Sequence, residues 1–319
     1  MENINKKTIL ITGGAGFIGS QLAKKLTEGG YGIVIADRLK EGNSLKKTRL
    51  EKFLNPEKYK FYNLELNNSA DLKKIFTENQ FDVICHLAAK TNLEPDSEVY
   101  NKMNILGTIG VFEMAKEFKV PKVVFASSSM VYGDNIKLPF SESHATDHPL
   151  SIYAATKKFD EVLAYTYHYL CKIKMVGLRF FTTYGPWGRP ETSISRFTDM
   201  IAKGETIEIH NFGKIKRDFS YVDDIVCGIT AALEKDLSYE LINLGSGQSV
   251  ELAKIINLIE KNLGLKAKKK FVKMQPGDLE ATWADITKAK ELLGYHPATT
   301  IKQGIKKFVD WYREYHQFK

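Results

Sequence analysis

Residues 8–19, Thr-Ile-Leu-Ile-Thr-Gly-Gly-Ala-Gly-Phe-Ile-Gly, restrict the fold more than any other stretch of the chain. A short apolar strand, Thr8–Thr12, runs into Gly13, Gly14, Gly16 and Gly19. The segment Phe17–Glu28 that follows has helical character, and Gly29-Gly30 ends it. Glycines in a strand-to-helix turn permit a tight bend, close approach of the backbone to a pyrophosphate, and close helix–strand packing. The helix N-terminus offers N–H groups and partial positive charge to phosphates. A tight turn with no ligand is the plainer alternative. The strand before it and the helix after it favour dinucleotide binding.

The alternation continues. Gly32–Asp37, Phe61–Leu64, Val83–Leu87 and Lys122–Ala126 read as further strands, with helical stretches at Ser69–Glu78 and Ile105–Phe118. Alternating buried strands and helices predict an α/β fold, a Rossmann-type doubly wound parallel sheet with helices on both faces. The order loosens after a strand at Met175–Phe180. A Gly/Pro-rich loop, Tyr184–Pro190, follows, and a helix is expected at Ile301–Tyr315. A smaller mixed α/β unit, interleaved with the first, accounts for this part.

Asp37 ends the second strand, 24 residues beyond Gly13. A carboxylate there accepts from a ribose 2′-OH and repels a 2′-phosphate, which favours NAD over NADP. Arg38 points the other way, since a guanidinium pairs with a 2′-phosphate.

In Ser151-Ile-Tyr-Ala-Ala-Thr-Lys157, Tyr153 and Lys157 stand four residues apart with no helix breaker between them. One turn of helix puts them on one face. A nearby ammonium favours the phenolate over the phenol, and such a tyrosine can act as a general base. Tyr-x-x-x-Lys alone is common and carries little weight. Here it shares a chain with the glycine turn and with the serines Ser127-Ser128-Ser129, which follow a strand.

The charge balance is +8, from 46 basic and 38 acidic residues. The basic residues are dispersed, so no nucleic-acid partner is expected; a basic balance suits an anionic small molecule. Cys85, Cys171 and Cys227 form no CxxC and no metal-ligand spacing, and each lies in an apolar stretch. Buried thiols in a reducing compartment, and no metal, are expected. With no signal-peptide pattern and no membrane-length apolar run, the expected location is cytoplasmic, without a membrane partner.

The turn Gly13–Gly19, the segment His86-Leu-Ala-Ala89, the serines before Val131-Tyr-Gly133, and Tyr153/Lys157 occur in a fixed order. Together they closely resemble the extended short-chain dehydrogenase/reductase family, in particular its nucleotide-sugar epimerases. The resemblance runs from about residue 7 to 310. Leu178–Pro190, Asn211–Asp224 and Met274–Asp278 are most similar to the UDP-glucuronate 4-epimerase pattern.

The resemblance implies NAD as cofactor, held by Gly13, Gly16, Phe17, Ile18, Gly19, Asp37, Glu65, Leu66, Leu87, Ala88, Ala89 and Lys157. Tyr153, Lys157 and Ser128 become the catalytic set, with Ser128 and Tyr153 also touching substrate beside Ser129, Thr182, Arg189, Arg217 and Asp278. Thr182 and Arg189 fall near the sugar carboxylate, and Arg217 and Asp278 near UDP. Guanidinium groups suit carboxylate or diphosphate oxygens. Plainer readings stand beside these: Arg217-Asp218 as a surface pair, and Arg189 solvated in its loop. The serine register is open by one residue.

The implied division is an NAD-binding domain from residues 1–178 plus about 220–245, and a nucleotide-sugar domain from 179–219 and 246–319. A homodimer is also implied, through helices near 97–118 and 151–171.

The implied reaction moves hydride from sugar C4 to bound NAD, leaving a 4-keto sugar, and returns it to the opposite face. Dehydratases and decarboxylases of the superfamily resemble one another in carrying Glu where this chain has Met130; the dehydratases also carry Asp at Ser129. Loss of water needs an acid to protonate the leaving hydroxyl, so epimerisation is favoured.

One stretch departs from the pattern. After Ala89 the chain reads Lys90-Thr-Asn-Leu-Glu94, and the arginine expected near the substrate is absent. Glu94 in its place would repel a uronate unless turned away, with Lys90 or Arg189 compensating. A neutral or amino UDP-sugar 4-epimerase is therefore the first alternative. A net NAD-dependent dehydrogenase or reductase is the second, and a silent dinucleotide-binding protein the third.

Overall fold

The computed structural model describes residues 7–39, 44–91, 96–273 and 280–318. Seven strands form one sheet in the order β11-β6-β5-β4-β1-β2-β3. They are β1 (Thr8–Thr12), β2 (Gly32–Asp37), β3 (Tyr59–Asn63), β4 (Val83–His86), β5 (Lys122–Ser128), β6 (Lys174–Phe180) and β11 (Tyr239–Leu244). Every pairing in this sheet is parallel. The expected doubly wound sheet is present, and the strand order reverses between β1 and β4. A crevice opens at the carboxyl ends of the strands at such a switch point.

The strands are buried on both faces, with alternate residues entering two cores. Ile9, Ile11, Ile33, Ile35, Val124 and Val176 join one core, while Leu10, Val34, Ile84, Val123 and Phe125 join the other. The first core is closed by α1 (Phe17–Glu28) and α8 (Val222–Glu234), and the second by α3 (Ser69–Glu78), α5 (Gly107–Glu117) and α6 (Ile152–Cys171). Helix α2 (Ser44–Phe53) lies beside α1, and the short α4 (Ser97–Tyr100) leads through a π-helical stretch, Asn101–Leu106, into α5. The helix expected at 105–118 is thus the last part of a longer, interrupted one.

Past β6 the strands are short. β7 (Thr182–Tyr184) pairs with β10 (Phe219–Tyr221), and β8 (Thr206–His210) with β13 (Lys268–Val272). β9 (Lys216–Arg217) lies between β12 (Val250–Glu251) and β14 (Ala281–Thr282). Around them pack α7 (Ser193–Ala202), α9 (Leu252–Leu263), α10 (Thr287–Leu293) and α11 (Ile301–Tyr315). Thr300 caps α11 by accepting from the Gln303 N–H, and the Gln303 side chain accepts in return from the Thr300 N–H.

Asp218 organises the small sheets. Its Oδ1 accepts from Ser220 Oγ at 2.8 Å and the Ser246 N–H at 2.7 Å; Oδ2 accepts from the N–H groups of Gly247 and Ala284. It is fully buried, so the alternative of a surface pair with Arg217 is wrong.

The expectation of three buried thiols needs correction. Cys85 is buried, Cys171 is half-buried and Cys227 is exposed. Cys227 sits on α8 with the Lys25 ammonium 3.4 Å from its sulfur. Among the described residues no helix is long and apolar enough to cross a membrane, and no cluster of His, Cys, Asp or Glu is arranged to hold a metal ion.

Candidate active site

The glycine turn closes on itself at the end of β1. Gly13 adopts φ +72°, and the Gly16 N–H donates to the Gly13 carbonyl at 3.0 Å. A Cβ on Gly13 would lie 2.7 Å from the Ala88 nitrogen, and one on Gly19 only 2.3 Å from the Gly13 oxygen. Gly16 is the N-cap of α1 and gives it no side-chain cap. The first N–H groups of the helix are thereby left to whatever fills the crevice.

Asp37 holds this turn from the end of β2. Its Oδ2 accepts from the Ala15 N–H at 2.9 Å, and its Oδ1 from the Lys46 ammonium at 2.6 Å and the Arg38 N–H at 2.7 Å. The Arg38 guanidinium pairs with Glu65. Lys46 was not singled out in the sequence; helix periodicity gives no hint that an α2 lysine turns back onto β2.

Two adjoining cavities follow the strand ends. One, of about 350 Å³, is lined by Gly13, Gly16, Phe17, Ile18, Gly19, Leu87 and Ala89. Ser128, Ser129, Met130, Tyr153, Lys157, Thr182 and Arg189 also line it. The second, of about 730 Å³, is lined by Asp37, Arg38, Lys46, Arg49, Glu65, Leu66, Ala88 and Lys90, and shares Gly13, Leu87 and Arg189 with the first. Arg217 lines neither, lying on β9. Asp278 and Glu94 fall outside the described residues.

The Ser151 hydroxyl caps α6 by accepting from the Ala154 N–H at 3.1 Å, and the helix then presents Tyr153 and Lys157 one turn apart. Lys157 is almost wholly buried, and its ammonium donates to Asp160 Oδ2 at 2.9 Å. Burial pushes the Lys157 pKa down, but Asp160, Tyr153 and Glu161 outweigh it and hold the ammonium above its ordinary value.

The serines all line the cavity but differ in partners. Ser127 donates to Glu161 Oε1 at 2.6 Å. Ser128 accepts from the Met130 N–H at 3.2 Å. The buried His86 bridges Thr12 (2.7 Å) and Thr108 (3.0 Å), and burial, aided by the Lys157 charge, lowers its pKa to about 3.

Arg189 bonds to Thr91, so it is not loosely solvated. The buried Arg49 of α2 fixes the residues before it, donating through Nη2 to the Trp187 carbonyl at 2.7 Å. Burial, then the nearby Arg189 charge, lowers the Arg49 pKa to about 10. Arg49 was also missed; an arginine in an amphipathic helix usually reads as solvent-facing.

Tyr153 and Lys157 therefore face, within one cavity, a turn shaped for dinucleotide phosphates, the arrangement of a short-chain dehydrogenase/reductase. The family model described as GDP-mannose 4,6 dehydratase matches residues 10–308. The UDP-glucuronate 4-epimerase of Thermodesulfobacterium geofontis is 41% identical, covering 96% of each chain. The UDP-glucuronic acid 4-epimerase of Bacillus cereus, solved with UDP-glucuronic acid and NAD, superposes with a TM-score of 0.89 at 34% identity, over 97% of this chain and 99% of that one. The UDP-glucose 4-epimerase of Thermotoga maritima, solved with UDP-glucose, gives 0.89 at 30% identity with the same coverage. The chain belongs to the NAD-dependent nucleotide-sugar epimerase and dehydratase family, within the extended short-chain dehydrogenase/reductases.

Proposed function

We propose that this enzyme interconverts UDP-glucuronate and UDP-galacturonate by inverting C4 of the sugar. The observation that carries the reading is the placement of Arg189 in the same cavity as Ser128, Tyr153 and Thr182, with Ser129 and Met130 in place of acids. A guanidinium there suits a sugar carboxylate. With no acid at 129 or 130, these positions supply nothing to protonate a departing hydroxyl. The Thermodesulfobacterium and Bacillus relatives, both named for UDP-glucuronate, support the same reading.

The residues of the glycine turn fit NAD: Gly13 and Gly19 pack so closely on neighbouring backbone that neither could carry a side chain, which keeps the turn tight at the start of α1, and Asp37 stands at the end of β2. When bound, NAD supplies a reversible hydride acceptor. The protein's own part is proton handling and orientation. Tyr153 takes the proton of the 4-OH, with the Ser128 hydroxyl bridging, because it both donates and accepts. Tyr153 returns the proton when the 4-keto sugar is reduced on its other face. Lys157 would hold the nicotinamide ribose of bound NAD and would steady the phenolate. Arg189 and Thr182 bind the carboxylate, and Arg217 and Asp278 the UDP. On this reading the residues around the main sheet (1–178 with about 220–245) carry the cofactor, and 179–219 with 246–319 the sugar nucleotide.

A homodimer belongs to the same proposal. Val162, Tyr165 and Tyr169 repeat along the outer face of α6, each more than half exposed, and Leu170 extends the strip. Such a face suits pairing with its copy. Sedimentation of a monomer at micromolar concentration would remove this part.

A neutral UDP-sugar is the second reading, favoured by the engagement of Arg189 with Thr91 and by the equal TM-score of the Thermotoga UDP-glucose enzyme. The test is NMR of the sugar H4 signals with UDP-glucuronate, UDP-glucose and UDP-N-acetylglucosamine supplied separately. Conversion of UDP-glucuronate with no net NADH supports the first reading. Conversion of the neutral sugars alone selects the second.

A further inference from the structure

Asp160 lies one turn beyond Lys157 on α6, and the mechanism above gives it nothing to do. Its carboxylate receives the Lys157 ammonium at 2.9 Å, with both side chains nearly sealed from solvent.

The other charged or titratable groups around the pair are committed elsewhere. Glu161 is held by Arg179 of β6 at two points and also accepts from Ser127. Tyr132, from the turn after β5, is hydrogen-bonded to Asn243 and Arg179. Tyr239 of β11 donates to the Glu161 backbone carbonyl. His86 of β4 stays neutral because burial and Lys157 both disfavour its charge. Asp160 therefore bonds the buried ammonium directly, Glu161 acts on it from a distance, and Tyr153 joins them once it ionises. Burial raises the Asp160 pKa above the ordinary carboxylate value, with the Lys157 charge pulling the other way, and its Oδ1 is buried without a hydrogen-bond partner among the described residues.

We infer that Asp160 is a positioning residue that competes with the Tyr153 phenolate for the one Lys157 ammonium. It thereby sets the pH below which the enzyme loses its base. With Asp160 neutral, the phenolate becomes the main counter-charge for Lys157 and forms more readily. With Asp160 ionised, Lys157 stays charged and fixed in place, and its pull on the tyrosine is shared.

The kinetic arm of this inference rests on the epimerase reading; a spectroscopic arm does not. The experiment compares NAD-loaded wild type with Asp160→Asn, each also carrying Tyr153→Phe as the blank. The near-ultraviolet phenolate band assigned to Tyr153 by difference is followed against pH without any sugar. In the Asn variant it grows in about one pH unit lower, the effect of removing one nearby charge at partial screening. The acid limb of kcat/KM moves the same way, and Asp160→Glu restores both. Asp160→Ser gives the same comparison if the Asn variant does not fold. A band that stays in place, or moves to higher pH, in a folded NAD-loaded neutral variant overturns the inference. A band that moves while no UDP-sugar is turned over upholds it and removes the functional reading instead.

Discussion

Arg179 and Glu161 meet at two points inside the protein, Nε to Oε1 at 2.8 Å and Nη2 to Oε2 at 2.9 Å. Arg179 also donates to the Tyr132 hydroxyl at 3.0 Å, and Glu161 accepts from Ser127. Through Ser127 the pair ties β5, β6 and α6 together. It also distinguishes the serines that line the cavity: Ser127 is held by Glu161, whereas Ser128 accepts from the Met130 N–H. Replacing Arg179 by Met leaves a buried carboxylate without its partner, and such losses cost about 3–5 kcal/mol. Urea unfolding is expected to show that loss. The Arg179→Met/Glu161→Leu double variant loses less than the single one.

Gly19→Ala tests the cofactor turn. Its Cβ would meet the Gly13 oxygen at 2.3 Å and the Gly14 Cα at 2.8 Å, both backbone atoms with little freedom to retreat. The variant is expected to lose bound NAD while keeping its fold, read from the nucleotide released on denaturation and from circular dichroism. Full NAD content would show that the turn is not the phosphate site.

His86 makes the fold acid-sensitive. Its folded pKa is lowered to about 3, so between the ordinary histidine value and that point the unfolded chain binds a proton that the folded chain does not. Stability is therefore fully present above the unfolded pKa and falls as pH drops below it. The linkage contribution amounts to about 2 kcal/mol lost between pH 7 and pH 5. His86→Gln removes this component, so urea midpoints of the variant fall less steeply with acid than those of wild type.

Arg189→Leu separates the two substrate readings. If the guanidinium binds the sugar carboxylate, kcat/KM for UDP-glucuronate falls by about 10- to 100-fold, the loss of a charge-assisted hydrogen bond. Turnover of UDP-glucose, where measurable, changes little. Equal losses on both sugars would make Arg189 a structural partner of Thr91.

Most of the sheet was legible because its strands are apolar runs bounded by glycines and charges. Thr8–Thr12, Gly32–Asp37, Phe17–Glu28 and Ser69–Glu78 have the expected limits. The third strand begins two residues early, at Tyr59, because a 3₁₀ turn at Pro56–Lys58 feeds it directly. The site's backbone was legible for the same reason: the Gly13–Gly19 turn and Tyr153/Lys157 are local patterns. What stayed hidden depends on long-range partners. Asp218 looks like half of a surface pair until residues remote in sequence, Ser246, Gly247 and Ala284, aim their N–H groups at it. Lys46, Arg49, Asp160 and Glu161 read as ordinary helix charges until the fold turns them inward.

The central claim is that hydride leaves C4 and returns to the same sugar, with Tyr153 moving the proton. The most direct measurement uses UDP-glucuronate deuterated at C4, incubated with the NAD-loaded enzyme and followed by NMR and by NADH absorbance. The account predicts UDP-galacturonate with deuterium retained at C4 and no net NADH, and less than about a tenth of wild-type turnover for Tyr153→Phe. Accumulating NADH, loss of deuterium from C4, or a Tyr153→Phe variant above that level would contradict it.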